Sequence, residues 1–406
     1  PTYNPNNFED YPAIYRRNIA ITDIYEPGST FKIITAAAAL EEGIVTPESS
    51  FDDPGFIIVE NRRLKCWRAG GHGHQNFTEA MENSCNTVFA RLALNLGVEK
   101  FDRFVRAFGF DSQTEIDFPG EAAGLLHKKE KMGPVELATA GFGQGLSVTP
   151  LQMLRAACAI ANGGYLLRPY LVKEIRDPKG KVISITKPKI IRRVISKKTS
   201  DILIRLMKSV VLNGSGHNAY IEGYRVAGKT GTAQKPSPTG GYGDKRIASF
   251  LGFAPADDPQ LAGIIVLDEP EGQKYGGVIA APVFARVFRD ALKYMGVRPK
   301  YEVPGEDPRE KMVAVPNVIN MAPEDAEKII LQNKLNCRFI GVGSYIYDQL
   351  PKPGLKVKPD TTILLYFDPE EKYNMIGKYV VVPDVKGLTM GAAKDKLGQV
   401  GLLLAP

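Results

Sequence analysis

The sequence lacks most of the features that would assign it to a specialised class of protein. No run of about 18 consecutive apolar residues occurs, so no membrane span is predicted. Only four cysteines occur and none forms a CxxC pair, which excludes a disulfide scaffold and the common zinc modules. The net charge is only +7, and no Lys/Arg cluster is interleaved with aromatic residues, so nucleic acid is not expected as a partner.

The composition is otherwise that of an ordinary globular chain, with 44% hydrophobic and 24% charged residues. At about 150 residues per domain, the length predicts two to three domains. The chain begins at Pro1 rather than Met, so we expect a fragment or a processed product, and the absence of a leader says nothing about location.

The first 296 residues mix helical and strand patterns and predict an α/β domain (α+β) with a largely antiparallel sheet. A helix is predicted over "STFKIITAAAALEEG", another over "TPLQMLRAACAIANGG" with Thr149 as its N-cap, and two over "FTEAMENSCNTVFARLALNLG" with a short break between them. Strands are predicted as a hairpin over "LVKEIRDPKGKVISI" and as the pair "IASFLGFAP" and "LAGIIVLDEP".

Residues 297–312 are charged and Pro-rich and predict a linker, beyond which the sequence repeats itself. Val-Pro-Asn-Val from residue 315 recurs as Val-Pro-Asp-Val from residue 382, an offset of 382 − 315 = 67. Each copy predicts a short strand and then a helix, and similarity at a fixed period indicates a tandem module. We expect a first module at 313–369, a linker at 370–378 and a truncated second module at 379–406.

Ser29 and Lys32 stand three residues apart at the start of a predicted helix, so both side chains lie on one face. A serine hydroxyl needs a nearby base to act as a nucleophile. Burial beside "IITAAAAL" and the positive end of the helix both favour a neutral Lys32, which could be that base. Alone this pattern is weak, since a capping serine explains Ser29 equally well, and a second Ser-x-x-Lys starts at Ser184 on a predicted strand.

Two further triplets strengthen the interpretation. The sequence contains one Ser-x-Asn, at Ser84-Cys85-Asn86, and one Lys-Thr-Gly, beginning at Lys229. In this order, Ser-x-x-Lys, Ser-x-Asn and Lys-Thr-Gly are the signature set of penicillin-interacting serine enzymes. With "EPGSTFK", "GFGQG", "VAGKTGTAQ" and "SFLGFAP", residues 1 to 296 resemble the transpeptidase domain of class B penicillin-binding proteins.

The resemblance implies the penicillin-binding transpeptidase fold, which is similar to that of serine β-lactamases and has an antiparallel sheet flanked by helices. The repeats resemble PASTA modules, the small wall-associated domains that follow this domain in some Gram-positive division and sporulation enzymes. We therefore expect an extracytoplasmic, wall-facing protein whose membrane anchor lies N-terminal to this sequence, with a weak preference for a role in sporulation.

The resemblance also implies a role for each motif residue. Ser29 would be the acylated nucleophile, Lys32 its base, and Ser84 a proton relay shared with Lys32 and Lys229. Asn86 would orient the peptide amide of the substrate. On the strand that begins at Lys229, Thr230 and Gly231 would bind substrate, and Thr232 would bind its terminal carboxylate. The backbone N–H groups of Thr232 and Ser29 would form the oxyanion hole.

The implied reaction is attack on the D-Ala-D-Ala end of a peptidoglycan stem peptide, followed by transfer of the acyl group to an amine of a neighbouring stem. No cofactor is implied, β-lactams would trap Ser29 as an ester, and a glycan polymerase would be a partner. A β-lactamase is disfavoured, because no Glu-x-x-x-Asn stands between Ser84 and Lys229. A non-catalytic β-lactam sensor and a wall-binding scaffold remain alternatives.

Cys66 and Cys85 are 85 − 66 = 19 residues apart, and Cys85 lies inside a catalytic triplet. Two independent thiols are the simplest interpretation, and a reversible disulfide that distorts Ser84 and Asn86 is the alternative in an oxidising compartment. His72 and His74 flank Gly73, but without a third ligand in the sequence nearby they predict a structural loop, and no metal site is expected.

Overall fold

The computed structural model describes residues 3–237, 241–300, 313–341, 343–357, 359, 361–367 and 383–400. The chain divides into two compact units, residues 1–301 and residues 302–406. Most of the expected linker at 297–312 and all of that at 370–378 lie outside the described residues.

Eleven α-helices occur in the described part of the chain, and none of them is long and apolar enough to cross a bilayer. They are α1 (Ile19–Thr22), α2 (Lys32–Glu41), α3 (Phe77–Glu82), α4 (Asn86–Ala107), α5 (Pro134–Ala140), α6 (Pro150–Ala161), α7 (Lys197–Asn213), α8 (Gly276–Ile279), α9 (Ala281–Tyr294), α10 (Pro323–Gln332) and α11 (Met390–Gly398).

The strands of the described residues form small sheets and hairpins around one longer sheet. They are β1 (Ser50–Asp53), β2 (Phe56–Val59), β3 (Arg62–Lys65), β4 (Gly73–Asn76), β5 (Tyr165–Arg168), β6 (Glu174–Arg176), β7 (Val182–Ile185), β8 (Lys189–Arg193), β9 (Ala227–Pro236), β10 (Tyr242–Ala254), β11 (Leu261–Asp268), β12 (Val313–Ala314), β13 (Asn336–Ile340), β14 (Ile346–Leu350), β15 (Lys356–Val357) and β16 (Thr362–Phe367).

The longer sheet is antiparallel, with β10 between β9 and β11. Side chains alternate between its two faces, as the pleat requires. Leu251 and Phe253 join the larger core with the helices α2, α4, α6 and α7, whereas Phe250 packs on the other side against Phe284 of α9. The predicted arrangement, an antiparallel sheet with helices on both faces, is therefore confirmed.

The helix that follows Ser29 begins differently from the prediction. Residues Gly28–Phe31 form a 3-10 turn, and the α-helix proper begins at Lys32. The prediction of α6 is confirmed in detail: Thr149 caps the helix, Pro150 is its first residue, and Gln152 completes a capping box. The predicted helix break also occurs, between α3 and α4.

Four short strands between residues 50 and 76 were not expected from the sequence. Strand β1 pairs with β4 and β2 pairs with β3, both antiparallel. These paired strands place the loop from Cys66 to His72 beside the start of α4, next to Ser84.

The second unit contains the predicted strand and helix order of a small module. Its core combines Ala326 and Ile330 of α10 with Ile363 and Leu365 of β16. Strand β13, which the sequence analysis did not identify, pairs in parallel with β16. Helix α11 lies at the repeat offset from α10, since 390 − 323 = 67.

Candidate active site

The turn that carries Ser29 is fixed by neighbouring backbone. Gly28 has φ +53°, a conformation that favours glycine, and its N–H donates to the carbonyl of Gly143 at 2.9 Å. Gly143 must itself be glycine, because a Cβ there would lie 2.1 Å from the Gly28 oxygen. The "GFGQG" segment therefore holds Ser29, which is half-buried, at the wall of a cleft.

Lys32 follows one turn later, and its side chain is fully buried. Its amine donates to the backbone oxygen of Ser84 at 2.7 Å and to Oδ1 of Asn86 at 2.7 Å, and it lies 3.2 Å from Oγ of Ser84. The structure thus brings the first two predicted motifs together.

Ser84 adopts a backbone conformation that is unusual for serine. Its φ is +52°, in the left-handed region, at the break between α3 and α4. Such strain persists where the surroundings fix it, and it is concentrated at functional sites. Here it places the hydroxyl within reach of both buried lysines.

Lys229 on β9 completes the group. Its amine donates to Oγ of Ser84 at 2.8 Å, so that one hydroxyl contacts Lys32 and Lys229. Further along the strand, Thr230 and Thr232 line the same cleft, and Oγ1 of Thr232 accepts the N–H of Gly276 at 3.1 Å. The three triplets, far apart in the sequence, converge on one cleft of about 870 Å³.

Burial perturbs both amines in the direction that nucleophile activation requires. It lowers the pKa of Lys32 to about 8. It also lowers the pKa of Lys229 well below its usual value, and the neighbouring charge of Lys32 acts in the same direction. A neutral amine beside the Ser84 hydroxyl is therefore accessible near neutral pH.

The packing of β9 requires glycine at position 231. A Cβ at Gly231 would lie 2.3 Å from Oγ of Ser249 and 3.0 Å from Cγ2 of Thr30. The absent side chain would therefore point toward the neighbouring strand and the turn that carries Ser29. Gly231 lets β9 pack against the segment that carries Ser29.

The competing Ser-x-x-Lys motif is solvent-exposed. Ser184 lies on β7 and Lys187 just beyond it, and both are exposed on the outer hairpin. This hairpin lacks the burial that surrounds Lys32.

Cys66 and Cys85 are free thiols with their sulfurs 3.9 Å apart. His72 lies beside them, with Nδ1 3.6 Å from the Cys66 sulfur and 2.8 Å from Oδ2 of Asp53. The side chain of His72 is 1% exposed, whereas that of His74 is 72% exposed. Asp53 was not predicted, since no sequence spacing links it to Cys66, His72 and Cys85.

Two family models match the chain. Residues 1–289 match the penicillin binding protein transpeptidase domain. Residues 313–369 match the PASTA domain.

Several curated proteins are similar to the chain in sequence. Stage V sporulation protein D of Bacillus subtilis is 43% identical over 379 residues, which cover 92% of this chain and 58% of that protein. The peptidoglycan D,D-transpeptidase FtsI of Escherichia coli K12 is 35% identical over 301 residues, covering 74% of this chain and 49% of that protein. The chain thus spans about half the length of the curated relatives it matches.

Solved structures share the fold. Penicillin binding protein 3 of Mycobacterium tuberculosis, complexed with aztreonam, superposes with a TM-score of 0.66 at 31% identity. The match covers 74% of this chain and 69% of that one.

Proposed function

The chain belongs to the penicillin-binding protein transpeptidase family, and from that premise we propose that it is a serine D,D-transpeptidase that crosslinks peptidoglycan stem peptides. The observation that carries the proposal is the contact of one hydroxyl, that of Ser84, with the buried amines of Lys32 and Lys229. This arrangement supports proton transfer within a cleft that Ser29 lines.

In the first half-reaction, neutral Lys32 accepts the proton of Ser29 while Oγ attacks the carbonyl between the two terminal D-alanines. The backbone N–H groups of Ser29 and Thr232 stabilise the oxyanion. Lys32 returns the proton through Ser84 to the leaving amine, so that the C–N bond breaks, free D-alanine departs and an ester on Ser29 remains. Lys229 holds the Ser84 hydroxyl for this transfer.

Substrate binding involves the rest of the cleft. Asn86 orients the peptide amide of the donor, and the hydroxyls of Thr230 and Thr232 bind its terminal carboxylate. Gly231 acts indirectly by keeping β9 close to the turn of Ser29. In the second half-reaction an acceptor amine attacks the ester, the crosslinking amide forms, and the proton of the amine returns to Ser29.

The test uses a synthetic stem peptide ending in D-Ala-D-Ala together with an amine acceptor. The full chain should release D-alanine and form the crosslinked product, and Ser29→Ala should do neither. Ser184→Ala removes the hydroxyl of the competing motif and should have no effect. A β-lactam sensor would be acylated by penicillin without amine-dependent product, a wall-binding scaffold would not be acylated, and a β-lactamase would release hydrolysed antibiotic.

We also propose that Cys66 and Cys85 act as a redox pair. The sulfur contact between them lowers the pKa of Cys66, which favours the thiolate that begins disulfide exchange. A disulfide on another protein would accept two electrons and two protons from the pair. Since an S–S bond is about 2.05 Å long, closure would draw Cys85 and its neighbours Ser84 and Asn86 away from their present positions.

Penicillin labelling tests the redox pair. Labelling of the oxidised chain should fall and recover with dithiothreitol, and Cys66→Ser should not respond to either treatment. Equal labelling of oxidised and reduced wild type would refute the pair.

The proposed setting is the outer face of the cytoplasmic membrane, with an anchor in the longer protein and a glycan polymerase as partner. Peptidoglycan is the proposed substrate surface, and the similarity to a sporulation protein supports a role in spore formation. We propose the domain limits 1–296, 313–369 and 379–406, the last belonging to a second PASTA module whose helix α11 lies at the repeat offset.

A further inference from the structure

Four side chains with metal-binding chemistry meet beside the cleft. Asp53 ends β1, Cys66 follows β3, His72 precedes β4, and Cys85 precedes α4. Their donor atoms, one carboxylate oxygen, two sulfurs and Nδ1, all lie within 4.8 Å of one another. The side chains of Asp53 and His72 are 0% and 1% exposed, and Cys85 is fully buried.

The spacing of these donors suits a small tetrahedral ion. A Zn²⁺ ion with Zn–S bonds of about 2.3 Å and Zn–N bonds of about 2.0 Å places two sulfurs about 3.8 Å apart and a sulfur about 3.5 Å from a nitrogen. The corresponding distances are 3.9 Å between the sulfurs of Cys66 and Cys85, and 3.6 Å between Cys66 and Nδ1 of His72. The carboxylate is slightly closer, with Oδ2 of Asp53 3.2 Å from the Cys85 sulfur and 2.8 Å from Nδ1 of His72.

We infer that Asp53, Cys66, His72 and Cys85 form a closed zinc site. Two thiolates, one imidazole and one carboxylate are a donor set that selects Zn²⁺ over Mg²⁺ and Ca²⁺, which prefer oxygen. On binding, the ion displaces one proton from each thiol to solvent, and no electron is transferred. The ion also neutralises negative charge that the two thiolates and the carboxylate would otherwise concentrate in a buried space.

The surroundings hold the donors in place. Oδ1 of Asp53 accepts the N–H of Gly55 at 2.8 Å and the hydroxyl of Thr87 at 2.9 Å, which leaves Oδ2 directed at the cluster. Such supporting contacts orient the ligands of metal sites. The loop between Cys66 and His72 closes tightly at Gly71, where a Cβ would lie 2.1 Å from the Asp53 carbonyl oxygen.

The bound metal would affect catalysis by fixing the position of the residues on either side of Cys85. Cys85 lies between Ser84, whose φ is +52°, and Asn86, so a metal–thiolate bond would fix the strained segment that contacts both lysines. The same two sulfurs cannot hold the ion and form a disulfide, so zinc protects the reduced form. This consequence for catalysis rests on the proposed function, whereas binding of the metal does not.

The test measures metal binding to the full chain, purified with reductant. Wild type should retain about one zinc per chain after dialysis, by elemental mass spectrometry. Cobalt(II) substituted for zinc should give a thiolate charge-transfer band and the intense visible bands of a tetrahedral site. His72→Ala and Cys66→Ser should each weaken zinc affinity by at least about 100-fold, the upper end of what loss of a supporting contact causes.

Matched controls separate the site from its surroundings. His74 forms an exposed pair with Asp52 at 3.1 Å on the same strands, and Cys158 lies on α6, so His74→Ala and Cys158→Ser should bind zinc as wild type does. Zinc-loaded wild type should also resist disulfide formation by oxidised glutathione, and the metal-free form should not.

Absence of bound zinc in wild type, a cobalt spectrum without the thiolate band, or equal loss in His74→Ala and His72→Ala would overturn the inference. If a variant of a metal ligand fails to fold, the cobalt spectrum and the zinc content of the wild type test the inference without it. Penicillin labelling of the same samples distinguishes the two proposals: zinc bound without labelling refutes the transpeptidase, and labelling without zinc refutes the metal site.

Discussion

At the scale of single residues, the proposed chemistry depends on two lysines that the fold keeps out of water. Lys32 and Lys229 are both fully buried, and their amines converge on the hydroxyl of Ser84. Desolvation of an ammonium is unfavourable, so burial favours the neutral form that can accept a proton. The strain at Ser84 positions the shared hydroxyl and is stabilised by these contacts.

The pH dependence of acylation should report the titration of Lys32. Because Lys32 must be neutral to accept the proton of Ser29, and its pKa is about 8, the rate constant for penicillin acylation should rise about tenfold per pH unit below that value and level off above it. Stopped-flow measurements with a chromogenic β-lactam would show this. A rate that stays constant from well below to well above the pKa would contradict the role of Lys32 as base.

The residue chemistry was only partly predictable from the sequence. Ser29, Lys32, Ser84, Asn86 and Lys229 belong to motifs with fixed local spacing, so the pattern identified them, and the structure brings them together. The contact of Asp53 and His72 with the cysteine pair depends on hairpin pairing between β1 and β4, which no local spacing encodes.

At the scale of elements, the position of Ser29 depends on the close packing of β9 against the turn that carries it. Gly231→Ala would press a methyl group against Ser249 and Thr30, the residue next to Ser29. We expect the variant to lose about 1–3 kcal/mol of stability and penicillin acylation to slow by about tenfold to a hundredfold, because the turn must shift. Thermal unfolding and acylation rates would measure the two effects.

Gly243→Ala is the matched control in the same hairpin. A Cβ there would meet its nearest neighbour at 3.8 Å, an ordinary contact, and the backbone of Gly243 is not in the left-handed region. This variant should behave as wild type does. Equal effects of the two substitutions would show that the loss at Gly231 does not arise from the contact with Thr30.

The elements themselves were predictable to different degrees. Helix α6 has an N-cap, a proline at its first position and an apolar periodicity, and these local signals agree. Strands β10 and β11 are long and apolar and were also identified. The strands β1 to β4 have four residues each, and their stability depends on partners and on packing against α4 rather than on their own pattern.

At the scale of the whole molecule, the cleft and the PASTA module lie in different units. Among the described residues, those that line the cleft all lie between Gly28 and Val278. In the module, the buried side chain of Gln349 accepts the N–H of Val318 at 2.8 Å and donates to the carbonyl of Pro316 at 2.9 Å. These contacts stabilise the module and are remote in sequence from the catalytic motifs.

Gln349→Ala should therefore destabilise the PASTA module and leave acylation in the cleft unchanged. Loss of its contacts leaves buried backbone groups unpaired, which costs about 1–3 kcal/mol for each group. Hydrogen exchange should become faster in residues 313–367, and penicillin acylation should not change. Gln332→Ala, at an exposed position on α10, should change neither. A fall in acylation with Gln349→Ala would show that the module supports the cleft.

Mass spectrometry of the penicillin adduct tests the central claim most directly. After incubation with penicillin and proteolysis, the account predicts an added mass of one ring-opened antibiotic on Ser29, carried as an ester that persists through the digestion. An unmodified Ser29, or an adduct on any other residue, would contradict the assignment of the nucleophile.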